Sequence, residues 1–153
     1  MSDLQKNYTE LQKKRKLPAF DDLDRGFDIA AIDATSAILR EIRKKIDGKL
    51  DESLGLLQVV LQPETNMRDL HECRGFTEKD KGRLFALYRK LMILRREASL
   101  LSLDSEERRE AAYINAAFAE WQAIRPQLQE FIQRMRDSWK KELNVKEELG
   151  YLG

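Results

Sequence analysis

The feature that most constrains this chain is a pair of long apolar seams, each repeating at alternating three- and four-residue steps. Leu84, Leu87, Leu91, Leu94, Ala98 and Leu101 form the first. Ile114, Ala117, Trp121, Ile124, Leu128, Phe131 and Met135 form the second, with Trp139 and Leu143 in phase beyond it. Only an α-helix brings such positions onto one face, so residues 77–143 predict two long amphipathic helices. Phe85, Tyr88, Met92, Phe118 and Ile132 widen the seams past the narrow strip of a two-stranded coiled coil, and a wide stripe needs several neighbours.

The break between the seams falls at Leu103-Asp104-Ser105. Asp104 followed by Glu107 has the form of a capping box, and a link this short gives an antiparallel hairpin. Thr77 to Asp80 opens the first helix in the same manner, just after Gly75, a natural helix stop. Pro126 removes a backbone donor in mid-helix. Because the seam keeps its phase on both sides, the residue reads as a kink and not an end.

Upstream, Leu4, Tyr8 and Leu11 share a helical face that runs into Lys13-Lys14-Arg15-Lys16 and stops at Leu17-Pro18. This helix is expected to dock weakly. Phe20, Leu23 and Phe27 mark a short helix whose two phenylalanines anchor it. Ile29, Ile32, Leu39, Ile42 and Ile46 predict a core helix over 28–47, with Ala30, Ala31, Ala34 and Ala37 as a slim flank. Gly48 is expected to separate it from a helix carrying Leu50, Leu54, Leu57 and Leu61. Val59 and Val60 favour a strand, but no other segment could pair with one. After Pro63, a short helix is expected to turn Met67 and Leu70 inward.

The reading is therefore all-α: a helical bundle of about five to seven helices built on a long C-terminal antiparallel hairpin. Residues 1–144 form a single domain, and 145–153 a tail. At 153 residues such a domain buries roughly 70% of its unfolded surface and needs no staple. One cysteine, no apolar run of membrane-spanning length and no secretion signal point to a cytoplasmic chain without a membrane partner.

Catalytic signatures are missing. A single histidine excludes any site that needs two, and His71 with Cys73 two residues on would lie on different sides of a helix, a poor metal chelate. The expectation is a surface histidine and a partly buried cysteine. The acids Asp21, Asp22, Asp24 and Asp28 fail as a calcium loop, because Phe27 stands where the sharp-turn glycine belongs. There is no glycine-rich phosphate loop and no nucleophile elbow. The chain reads as a non-enzyme with no cofactor, no metal and no small-molecule ligand.

Two surfaces remain. Trp139, near the end of its helix, and Leu149, Tyr151 and Leu152 of the tail are candidate contacts for another protein, and the wide seams could also accept a second copy of the chain. The cluster Lys13, Lys14, Arg15 and Lys16, with further cations at 40–45, 89–96 and 134–141, could meet a phosphate backbone. Against that stands a balance of 28 Lys plus Arg to 27 Asp plus Glu, a net +1 that steers no polyanion. A protein-interaction or scaffold module is the first reading, and a nucleic-acid or ribosome-associated factor the alternative.

Overall fold

In the computed structural model, which describes residues 2–33 and 36–141, the described residues are mostly helical, with no strand among them. Six α-helices follow one another: α1 (Asp3–Arg15), α2 (Phe20–Phe27), α3 (Ile38–Leu61), α4 (Met67–Arg74), α5 (Glu78–Leu103) and α6 (Glu107–Lys140), with a 3-10 turn at Ile29–Ala31. They build two compact units, residues 1–51 with 93–122 and residues 52–92 with 123–153. The helical bundle matches the expected fold class.

In the first unit, α1 starts at a complete capping box. Ser2 Oγ accepts from the Gln5 N–H, and the Gln5 side chain accepts from the Ser2 N–H. Lys16, in the left-handed conformation, closes the helix. α1 is held more firmly than its sparse apolar face suggests: Tyr8 is wholly buried, its ring meets Phe20 edge-on, and its hydroxyl donates to the Pro18 carbonyl. Leu23 and Phe27 carry α2 into the core. Around them lie Ile38, Leu39, Ile42, Ile46 and Leu50 of α3, Leu94, Ala98 and Leu101 of α5, and Ile114, Ala117 and Trp121 of α6.

The expected helix over 28–47 starts ten residues late. Ile32 is extended and Ala37 holds positive φ, so a helix begun near Asp28 cannot run on into α3. Ala30, Ala31 and Ala37 are exposed, while Ala34 falls outside the described residues. Gly48 does not break α3 either. A mid-helix glycine costs about 1 kcal/mol, less than the burial of Ile42, Ile46 and Leu50 on the same helix contributes.

In the second unit the core is Leu54, Leu57 and Val60 of α3, Phe76, Leu84, Leu87 and Leu91, and Ile124, Leu128, Phe131 and Met135 of α6. The segment 56–61 is helix, as the lack of a pairing partner required. Thr77 and Asp80 form the anticipated reciprocal cap: Thr77 Oγ1 accepts from the Asp80 N–H at 3.1 Å, and Asp80 accepts from the Thr77 N–H at 2.9 Å. Arg134 of α6 reaches the same Asp80 at 2.8 Å and lies over the Phe76 ring. α6 runs unbroken through Pro126.

Two local expectations fail for one reason, that polar groups found better partners. Asp104 and Glu107 do not cap α6; Asp104 takes Arg109 at 3.1 Å, and Glu107 takes Arg15 at 2.8 Å. In α4, Met67 is exposed, whereas Asp69 and His71 point inward.

Candidate functional site

The second unit holds an open groove of about 550 Å³. Gly55, Leu56 and Val59 of α3 face Ile132 and Met135 of α6 across it, and Glu52, Arg68, Glu72 and Arg136 stand around it. The floor is apolar because the α3 and α6 seams are wider than the core they fill. Gly55 opens it further: a Cβ built there would meet nothing within 4 Å. Ile132 is 40% exposed.

Glu72 connects the groove to Trp139, accepting from the indole Nε1–H at 3.0 Å. The tryptophan keeps 41% of its surface exposed and lies against His71, with ring centroids 4.1 Å apart. The half-covered tryptophan expected from its place on the helix is therefore present. His71, in contrast, is buried and not a surface residue. Arg74 Nη2 lies 3.4 Å from its Nδ1 and can only donate, so Nδ1 accepts and Nε2–H donates to the Ser138 carbonyl at 3.1 Å. Asp69 supports this end of α4. Burial alone would raise its carboxyl, but the Glu64 N–H, Arg68 and Asn66 hold it below the usual carboxylate range.

Leu149, Tyr151 and Leu152 lie outside the described residues. Of the basic candidates, Lys13 and Lys16 are exposed, while Lys14 Nζ and Arg15 Nη2 both pair with Glu107, at 3.0 and 2.8 Å. Those two cations lower the Glu107 carboxyl. The cluster thus presents four positive charges with one carboxylate set among them. The other basic runs are interleaved in the same way: Arg95 with Asp51, Arg136 with Asp137, and Lys44 with Glu41.

Arg43, read from sequence as a surface cation, is instead the centre of a buried network in the first unit. Its Nε donates to both Glu110 oxygens, at 2.8 and 3.0 Å, and its Nη1 lies 3.5 Å from Asp47. Ser105 donates to Glu110 at 3.0 Å and Tyr113 to Asp47 at 3.1 Å. Burial pushes the Asp47 carboxyl up against the pull of Arg95, and burial with the adjacent Asp47 pushes the Tyr113 hydroxyl far above its ordinary range. A second cavity, of about 480 Å³, lies beside this network, between Asn7 and Glu10 of α1 and Arg40 of α3. Among the described residues no three His, Cys, Asp or Glu side chains converge as a metal site, and no helix is long and apolar enough to cross a membrane.

Sequence reasoning missed the groove. Ile132 was legible as a residue that widens its seam, whereas nothing in the apolar spacing marked Gly55. That the two face one space depends on how α3 and α6 pack. In comparisons with known proteins, the chain matches no family model, no curated protein and no solved structure.

Proposed function

We propose that this protein is a non-enzymatic, cytoplasmic protein-interaction module that receives an apolar segment of a partner protein in the groove of its second unit, with Trp139 as the anchor at one end. The observation that carries this reading is the open apolar floor of Gly55, Leu56, Val59, Ile132 and Met135, joined through Glu72 to a half-exposed tryptophan. Tryptophan beside a desolvated pocket is the arrangement from which interfaces draw most of their energy. The non-enzymatic half rests on how the titratable groups are used. His71 is tied to the Ser138 carbonyl beneath Trp139, and the Tyr8 and Tyr113 hydroxyls are bonded and pushed up by burial, away from proton transfer at neutral pH.

The test is recovery of partners on the tagged full chain, split into nuclease-treated and untreated halves. Gly55→Leu, which plugs the groove without crowding α3, and Trp139→Ala are compared with the unaltered chain. Partners that survive nuclease and are lost from both variants support the reading. Partners lost only on nuclease treatment, and retained by both variants, would overturn it in favour of a nucleic-acid factor working through Lys13 to Lys16, whose binding would weaken steeply with salt.

A further inference from the structure

The first unit carries an apolar surface of its own. Ile93, Leu100 and Leu103 of α5 are 59%, 55% and 85% exposed. Spacings of seven and three residues put them on one stripe of that helix, on the side away from Leu94, Ala98 and Leu101, which fill the core. A lone exposed leucine is ordinary. Three large side chains on one stripe leave about 400 Å² of mostly apolar surface open, the size at which such patches mark contact surfaces.

Two charges lie within the same stripe. Arg96 and Glu97 are both exposed, and among the described residues neither side chain has a salt-bridge or hydrogen-bond partner. Their own helix offers none. Positions 92, 93, 99 and 100 around Arg96, and 93, 94, 100 and 101 around Glu97, hold no charged residue. The flanking hydroxyls are already satisfied, because Ser99 donates to the Arg95 carbonyl and Ser102 to the Ser99 carbonyl. An apolar stripe with one unpaired cation beside one unpaired anion is complementary to itself.

We propose that a second copy of this chain covers the stripe, the two α5 helices pairing about a two-fold axis that runs along them. Rotation about that axis brings the Arg96 flank of one copy against the Glu97 flank of the other at the same level, so the ion pair forms twice. Ile93, Leu100 and Leu103 then meet their own counterparts. The area fits as well as the charge. A standard interface takes about 800 Å² from each partner, of which about 450–520 Å² is apolar, and the three side chains supply most of that. Helices crossing at the common angle of about −50° touch over roughly two to three turns. That confines the contact to residues 93–103 and carries the cations Arg89 and Lys90 of the two copies apart. Pairing through this stripe does not require the groove of the second unit to be filled.

The test is the mass of the full chain in solution, by light scattering and sedimentation from about 1 μM to about 1 mM, a range that spans weak to firm association. The unaltered chain is expected to pass from monomer to dimer within it. Leu100→Lys combined with Leu103→Lys, both at exposed positions, should stay monomeric. Arg96→Glu alone and Glu97→Arg alone each set like charges face to face and should weaken the dimer at least about tenfold. Arg96→Glu together with Glu97→Arg should restore it, and circular dichroism checks that every variant keeps its helix content. A chain that remains monomeric at the highest concentration overturns the proposal, as does a dimer that survives the two lysines or ignores the single reversals. Failure of the combined reversal to recover the dimer overturns it too, because the two charges would then not be meeting each other. So does a mass that grows past the dimer, since a two-fold contact closes on itself.

Discussion

Glu110→Gln is the sharpest single test of how the first unit is held. The native carboxylate is 1% exposed and accepts the single Arg43 Nε–H, shared between its two oxygens, and the Ser105 hydroxyl. Glutamine keeps the shape and opens no cavity, but it removes the charge and one acceptor. Arg43, only 4% exposed, is left with Asp47 at 3.5 Å as its nearest counter-charge, and Asp47 is shared with Arg95. Uncovering one partner of a buried ion pair costs about 3–5 kcal/mol. The amide retains one bond to Arg43 or Ser105, so the lower figure, about 3 kcal/mol, is expected. For a chain of this length that is a fall of roughly 6–12 °C in Tm. Urea titration of the full chain measures it as a shift in midpoint at constant slope. The companion variant, Arg43→Met with Glu110→Leu, removes both charges and fills the space, and it should lie within about 1 kcal/mol of the unaltered chain. A loss below about 1 kcal/mol for Glu110→Gln would refute the reasoning, since it would mean that water still reaches Arg43. A double variant as unstable as the single one would refute it equally.

Gly48→Ala should raise stability by about 0.5–1 kcal/mol in the same titration, because the position is helical and an added Cβ meets nothing within 4 Å; a loss would show an unsuspected close approach. Tyr8→Phe deletes the hydroxyl that donates to the Pro18 carbonyl and should cost about 1–2 kcal/mol, read as a lower urea midpoint. Asp80→Asn probes the acid limb. Bonds from Arg134 and from the Thr77 N–H hold the Asp80 carboxyl well below its ordinary value, so the folded chain binds a proton there less readily than the unfolded one. Its contribution is therefore complete above the unfolded pKa near about 4 and is lost as pH falls. Asp80→Asn should flatten the dependence of Tm on pH below about pH 5, and an unchanged slope would sink this account.

Helix content and the two main seams were legible because apolar spacing reports one variable, the side of the helix that meets the core. Leu84, Leu87, Leu91, Leu94, Ala98 and Leu101 are all buried, as are Ile114 through Met135 at the positions named. Spacing says nothing of where a long helix is interrupted by backbone geometry. Asp28 and Ala37 take positive φ without being glycine, and Gly48 and Gly55 stay helical although glycine is a common stop. Polar partners at long range were equally hidden: Arg43 and Glu110 are 67 residues apart, and each alone resembles a surface charge. Of the candidate site, Trp139 was visible from its place late in the seam. The groove beside it was not, since no one helix carries it.

Each compact unit contains one of the chain's two tryptophans. Trp121 is buried against Phe27 in the first, its ring nitrogen without a hydrogen-bond partner, and Trp139 is half exposed, bonded to Glu72 and stacked near His71 in the second. The chain thus carries a separate native fluorophore for each unit. Trp121 should emit at short wavelength, as an indole in an apolar, unbonded setting does, while the half-exposed Trp139 emits further to the red. Spectra of single-tryptophan variants would show whether the two units melt together or one at a time, without any added label.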